Sequence, residues 1–230
     1  MIAIALFDQS AITYDHWCET EVGSFVDQVE KELMKEVAKP QKGEKALDLG
    51  CGTGIYSYWL YEQGLDVVGI DISKNMLDVA KKKKDAKNIT FLQGDISNLP
   101  FANETFDLVI SNIVLEFTHN PQVIVKEALR VVKKGGRLVI GFIGKESTWG
   151  KMYHEKGKND PTSVFAHAKF FNTDEIAQLN ETPPIQFNYG LYVAMDEFTT
   201  IEAARELEKD RTKTSSDQDA GYIVAKWQKI

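Results

Sequence analysis

Cysteine is scarce in this chain, proline and histidine are few, and long apolar runs are missing. The 230 residues hold two cysteines, Cys18 and Cys51, far apart and without a CxxC pair. They build neither a disulfide framework nor a thiolate metal site, and a reducing, cytoplasmic setting is expected. The apolar run from Ile2 to Phe7 has no basic segment before it and no small-residue cleavage pattern after it, so a secretory signal is not expected. No stretch approaches the roughly 20 apolar residues that cross a bilayer, so membrane insertion is not expected either. Positive charge is outnumbered, with 27 Lys and Arg against 34 Asp and Glu and a formal net charge of -7. Such a surface repels phosphate backbones, which makes nucleic acid a disfavoured partner. Hydrophobic residues make up 43% of the chain, enough for a sizeable core, and the length fits one α/β domain spanning 1–230.

Apolar residues at Val22, Phe25, Val26, Val29, Leu33, Met34 and Val37 recur in steps of three and four, which predicts a helix that Pro40 ends. Residues 10–40 are expected to form an N-terminal helical cap. Beyond them, strands are expected at Lys45–Leu49, Asp66–Asp71, Ile89–Gly94, Phe106–Asn112 and Arg137–Ile143. Helices are expected between them: Ile55 to Gln63, one capped by Ser73, and one opened by Asn120-Pro121 and stopped by Lys133-Lys134-Gly135-Gly136. Strands alternating with helices imply βαβ units and a parallel sheet with helices on both faces. From Lys145 to Asn172 the chain is polar with aromatics and no clear period, which reads as an inserted loop or a lid over an acceptor site. A short helix at Asp174–Leu179, a strand at Ile185–Val193, a helix at Phe198–Lys209, a polar loop at Asp210–Asp219 and a strand at Gly221–Trp227 complete the pattern.

The chemistry concentrates where the first strand meets Gly50-Cys51-Gly52-Thr53-Gly54 and a helix begins. Glycines there turn the chain tightly and remove the Cβ atoms that would keep a ligand from the backbone, beside a helix N-terminus with free N–H groups. A dinucleotide loop needs a third glycine where this sequence has Ile55, which weighs against a nicotinamide or flavin site. Asp71 closes the second strand, where a carboxylate can accept both hydroxyls of a ribose. Gly94-Asp95-Ile96 ends the third. Asp95 could accept an exocyclic amine and Ile96 could offer its N–H to a ring nitrogen, although a turn is the plainer use of Asp95.

Leu47-Asp48-Leu49-Gly50-Cys51-Gly52-Thr53-Gly54, Gly69-Ile70-Asp71-Ile72-Ser73, Gly94-Asp95 before Leu99-Pro100-Phe101, and Phe106-Asp107-Leu108-Val109 resemble the class I S-adenosylmethionine-dependent methyltransferases, most of all the branch with the ubiquinone and menaquinone biosynthesis enzymes. The resemblance covers about Tyr14 to Ile143. It implies a Rossmann-like three-layer sandwich with a seven-stranded, mostly parallel sheet whose last strand is antiparallel. It also implies S-adenosylmethionine as cofactor. Under it Asp48 reaches the methionine amine, Gly50 to Gly54 pack on the methionine part, and Asp71 holds the ribose. Gly94, Asp95 and Ile96 take the adenine edge, and Met76 or Ile72 line the ring. Asn112 and Ile113 face both the methionine amine and the acceptor, while Tyr14 and Trp17 cover the cofactor.

Methyl transfer needs positioning more than covalent help, and a general base helps only when the nucleophile carries a proton. Glu116 and His119 are the leading candidates, followed by His16, His154 and His167; an exposed glutamate before a helix is the plainer expectation for Glu116. The expected partner is a small-molecule acceptor whose identity the sequence does not carry, and neither is the oligomeric state readable from it. A non-catalytic binder of the same cofactor and, less favoured, an NAD-dependent oxidoreductase are the rival readings.

Overall fold

The computed structural model describes residues 6–8, 11, 12 and 14–230. Most of the run from Ile2, and Ser10 and Thr13 of the expected N-terminal cap, lie outside the described residues.

Two helices open the described chain, α1 (Tyr14–Glu19) and α2 (Glu21–Ala38). The Thr20 side chain accepts from the Gly23 N–H and caps α2, and Lys39 ends it in the left-handed conformation before Pro40. Then follow β1 (Lys45–Leu49), α3 (Ile55–Glu62), β2 (Asp66–Asp71), α4 (Lys74–Ala80), β3 (Thr90–Gln93), β4 (Phe106–Asn112), α5 (Pro121–Val131) and β5 (Val132–Ile143). The remainder is α6 (Thr148–Asn159), α7 (Thr173–Ala177), β6 (Gln186–Gly190), α8 (Ile201–Thr214) and β7 (Tyr222–Gln228).

The seven strands form one sheet in the order β3-β2-β1-β4-β5-β7-β6. The first five pair in parallel, while β7 runs antiparallel to both β5 and β6. This is the expected Rossmann-like sandwich. Connections leave β1 toward β2 on one side and β4 lies on the other, so the crevice where ligands of open α/β sheets bind opens at the carboxyl ends of β1 and β4.

Alternation along the strands decides which face each residue joins. Ala46, Leu108, Ile110, Val139, Tyr222 and Val224 pack with Phe25, Val26 and Val29 of α2 and Leu60 of α3. Leu47, Leu49, Val109, Leu138, Ile140 and Trp227 pack on the other face with Ile124, Val125 and Ala128 of α5. By the same alternation Asp48, Asp71, Asn112 and Tyr222 all belong to the α2 and α3 face. That single parity brings the polar residues of four strands together.

Three expectations are corrected. Residues 145–172 are not irregular throughout: Thr148–Asn159 form the twelve-residue α6, which Ser147 caps by accepting from the Gly150 N–H, buried Trp149 donates its indole N–H to the Val193 carbonyl at 2.8 Å, and only the stretch after α6 is largely loop. Lys133 to Gly136 do not end a helix but lie in β5, where Gly135 donates to the Lys229 carbonyl and Lys229 donates to that of Gly136. The polar stretch from Asp210 is helical as far as Thr214, because α8 continues through it.

Candidate active site

The glycine loop is built from backbone conformations that side chains avoid. Gly50, Gly52 and Gly54 have φ of 69°, 52° and 85°. A Cβ on Gly50 would collide with Val114 at 2.6 Å, whereas one on Gly52 would stand in open space. The Gly52 N–H donates to Asp71 Oδ2 at 2.8 Å and the Ser73 N–H to Oδ1 at 2.7 Å. Asp71 therefore locks the loop after β1 to the turn after β2, with lone pairs to spare on both oxygens. Burial raises its pKa, and those two N–H groups oppose the rise.

Asp48 is buried under the loop and accepts from the Ser57 hydroxyl at 2.6 Å. Burial pushes its carboxyl up to about 7, with Asp71 adding to the rise. Cys51, also buried, has a thiol raised well above its ordinary range by burial, which keeps it protonated. The hydroxyl of Thr53 donates to Asp15 of α1 at 2.5 Å, and Asp15 pairs with Lys83 at 2.5 Å. Thus α1, which carries Tyr14 and Trp17, is pinned over the loop. Tyr14 is 42% exposed and Trp17 38% exposed.

Across the crevice, β4 ends in Asn112 and Ile113. Ile113 has φ of 51°, costly for a β-branched residue, and its N–H is held by the Gly141 carbonyl at 3.0 Å. Asn112 donates to Glu30 of α2 at 3.0 Å and accepts from the Tyr222 hydroxyl. Tyr56 of α3 donates to the same Glu30 oxygen at 3.2 Å. Burial pushes the Glu30 carboxyl up to about 7. Sequence reasoning passed over Glu30, yet a signal existed: it sits beside Val29 and one turn after Val26, a charged residue within the apolar stripe of α2.

Glu116 is buried, not exposed as the plainer expectation held. Its Oε1 accepts from the Ile143 N–H at 2.8 Å, while Oε2 has no hydrogen-bond partner among the described residues. Burial pushes it up to about 8.

Other expected residues are placed less centrally. His119, His154 and His167 are exposed, as is His16, which pairs with Glu19 at 3.2 Å; no hydrogen bond among the described residues joins any of them to the crevice. Asp95 is exposed and accepts from the Ser97 N–H at 2.8 Å, the turn expected as its plainer use. The Gly94 N–H donates to the Asp71 carbonyl at 2.9 Å, which holds the end of β3 against β2. Met76 is buried on α4, and Ile72 and Ile96 are half-buried. Two surface grooves, one between α2 and α8 and one beside α3, contain none of the residues of the crevice.

Residues 47–140 match the family model described as a methyltransferase domain. The chain is 32% identical over 174 residues to an uncharacterised protein of Methanocaldococcus jannaschii, covering 76% of this chain and 78% of that one. It is 40% identical over 115 residues to the demethylmenaquinone methyltransferase of Paenarthrobacter aurescens, covering 49% of this chain and 45% of that enzyme. This chain belongs to the class I S-adenosylmethionine-dependent methyltransferases. Among solved structures, a Thermotoga maritima methyltransferase described as a possible histamine N-methyltransferase superposes with a TM-score of 0.75 at 22% identity, covering 98% of each chain, and shares the fold. The match to the menaquinone enzyme spans less than half of its length. The open space at Gly52 beside the Asp71 carboxylate fits the family's cofactor, S-adenosylmethionine, because no side chain fills the place where its backbone-packed portion would lie.

Proposed function

We propose that this methyltransferase transfers a methyl group from S-adenosylmethionine to a small-molecule acceptor at the carboxyl ends of β4 and β5. One observation carries the reading: Asp71 grips the glycine loop through Gly52 while an open, Cβ-free face remains beside it. When bound, the sulfonium supplies a methyl on a good leaving group, open to in-line displacement. The chain's own residues bind and orient. Asp71 takes the ribose hydroxyls, Asp48 takes the methionine ammonium, and Gly50 to Gly54, with Cys51 and Thr53 among them, pack against the methionine portion. Gly94, Asp95, Ile96, Ile72 and Met76 surround the adenine, and the strained Ile113 with Asn112 presents the acceptor side. Tyr14 and Trp17 on α1 exclude water from above. Residues 145–172 act as a structured wall of the acceptor side, with Trp149 as its anchor. The two free, separated cysteines support a reducing cytoplasmic location. No helix among the described residues is long and apolar enough to cross a membrane.

Calorimetric titration with S-adenosylmethionine, S-adenosylhomocysteine and NADH tests the reading. The two sulfur compounds should bind and NADH should not. NADH binding without the other two would replace this reading with the oxidoreductase one.

A further inference from the structure

Glu30 and Glu116 stand on different elements and are both buried, 8% and 0% exposed. Buried carboxylates are ordinarily matched by a cation or by a full set of donors. Glu208 shows the second solution in this molecule, accepting from the N–H groups of Leu191, Tyr192 and Val193. Neither acid of the crevice has that provision. Glu30 accepts through one oxygen, from Tyr56 and Asn112, and Glu116 through one, from Ile143, with Oε2 left without a partner. Among the described residues, no Lys, Arg or His forms an ion pair with either acid.

The two carboxylates belong to one place. Ile143, which holds Glu116, is paired across the sheet with Tyr222, and the Tyr222 hydroxyl reaches Asn112, which holds Glu30. Gly141 makes this possible, because a Cβ there would collide with both Tyr222 and Asn112. Phe117, the residue after Glu116, belongs to a chain of aromatic contacts beside that acid. Tyr14 meets Phe7 at 6.0 Å, Phe7 meets Phe117 at 4.9 Å, Phe117 meets Phe165 at 6.1 Å, and Phe165 stacks on Tyr153 at 4.2 Å. Burial raises the Tyr153 hydroxyl, with the Glu30 charge adding. Aromatic rings beside buried carboxyls that lack a cation suit an organic cation, whose charge favours the ionised form of the acids and adds cation–π attraction and charge-assisted hydrogen bonds.

We propose that Glu30 and Glu116, together with Tyr14, Phe117, Phe165 and Tyr153, recognise an acceptor whose reacting group is an amine on an apolar or aromatic body. This rests on the methyltransferase reading above. The amine enters as an ammonium and gives one proton to a carboxylate, which frees its lone pair. The transfer then forms the N–CH3 bond as the S–CH3 bond breaks. The bonding pair stays on sulfur, and the methylated nitrogen leaves with the charge.

The test uses the full chain saturated with S-adenosylhomocysteine and three probes of similar shape: phenethylamine, 2-phenylethanol and 3-phenylpropionate. Calorimetry should show phenethylamine bound at least about tenfold more tightly than the other two, the scale of one charge-assisted contact. Glu116→Gln, which keeps an oxygen for the Ile143 N–H, should bring that preference within about threefold while leaving S-adenosylhomocysteine binding unchanged, and Glu30→Gln should act in the same direction. With S-adenosylmethionine, mass spectrometry should find N-methylphenethylamine. Equal binding of the three probes, no probe binding, or an undiminished amine preference in Glu116→Gln would overturn the inference and leave the methyltransferase reading intact. Loss of S-adenosylhomocysteine affinity in Glu30→Gln without loss of amine preference would move Glu30 to the cofactor and overturn its part. No S-adenosylhomocysteine binding by the wild type would overturn both.

Discussion

Glu30 of α2 and Asn112 at the end of β4 lie 82 residues apart in sequence, and the Asn112 amide donates to the Glu30 carboxylate at 3.0 Å. This contact ties the N-terminal helices to the edge of the crevice, and Gly141 leaves the space in which Tyr222 completes it. Gly141→Ala should therefore destabilise the fold by about 1–3 kcal/mol through overpacking. Urea denaturation would measure it. A stability equal to wild type would mean that Tyr222 and Asn112 can separate at little cost.

Three buried carboxyls make stability depend on pH in one direction. Burial raises Glu30 and Asp48 to about 7 and Glu116 to about 8, from ordinary values of 4.5 for the glutamates and 3.8 for the aspartate. Each binds its proton more tightly in the folded state, so its contribution is fully present below the unfolded pKa and is lost as pH rises through the folded one. The protein should be more stable at pH 5 than at pH 8.5. Glu116→Gln should flatten the upper part of that decline, between about pH 7 and 8.5, because an amide has no proton to lose. Urea melts across this range that show rising stability in the wild type would contradict the assignment.

Asp71 serves two purposes, and substitutions should separate them. Asp71→Ala removes the acceptor for the Gly52 and Ser73 N–H groups as well as the proposed ribose contact. Cofactor affinity should fall by roughly 1.5–3 kcal/mol, together with the melting temperature. Asp71→Asn, which keeps one oxygen acceptor, should lose less stability than Asp71→Ala and still bind poorly. Calorimetry with S-adenosylhomocysteine and a thermal melt on the same samples would decide, and unchanged affinity in both would remove Asp71 from the site.

Trp149 anchors the segment first read as a loop. It is 2% exposed and its indole donates to Val193 across to the chain after β6. Trp149→Ala should cost about 3–5 kcal/mol, the range for deleting a buried large aromatic. A change under about 1 kcal/mol in urea denaturation would restore the picture of a loosely attached lid.

The strands and the glycine loop were legible because each carries a local signal: β4 falls on its expected bounds, and Asp71 closes its strand as expected. Residues 145–172 were not, since Gly150, Lys151 and Gly157 interrupt the apolar period of α6, which is held by its Ser147 cap and by tertiary contacts instead. Lys133 to Gly136 carry the signature of a helix stop, but Val132 is already extended and the pairing with Lys229 settles the outcome. The Glu30, Asn112, Tyr222 and Glu116 group was illegible for another reason. Its members come from α2, β4, β7 and the turn after β4, and only sheet order and side-chain parity bring them together.

The central claim is that the loop after β1 is a cofactor cradle and not merely a turn. Gly52 and Gly43 allow a direct comparison, since both have positive φ, 52° and 85°, and neither has an atom within 4 Å of an added Cβ. Valine at either position strains the backbone by about 1–3 kcal/mol, but Gly43 lies in the turn between α2 and β1 and not in the loop that Asp71 grips. The measurement is the calorimetric affinity of Gly52→Val and Gly43→Val for S-adenosylhomocysteine, with melting temperatures alongside. Gly52→Val should bind on the order of a hundredfold more weakly while Gly43→Val binds as the wild type does. Equal affinity in the two folded variants would contradict the cradle.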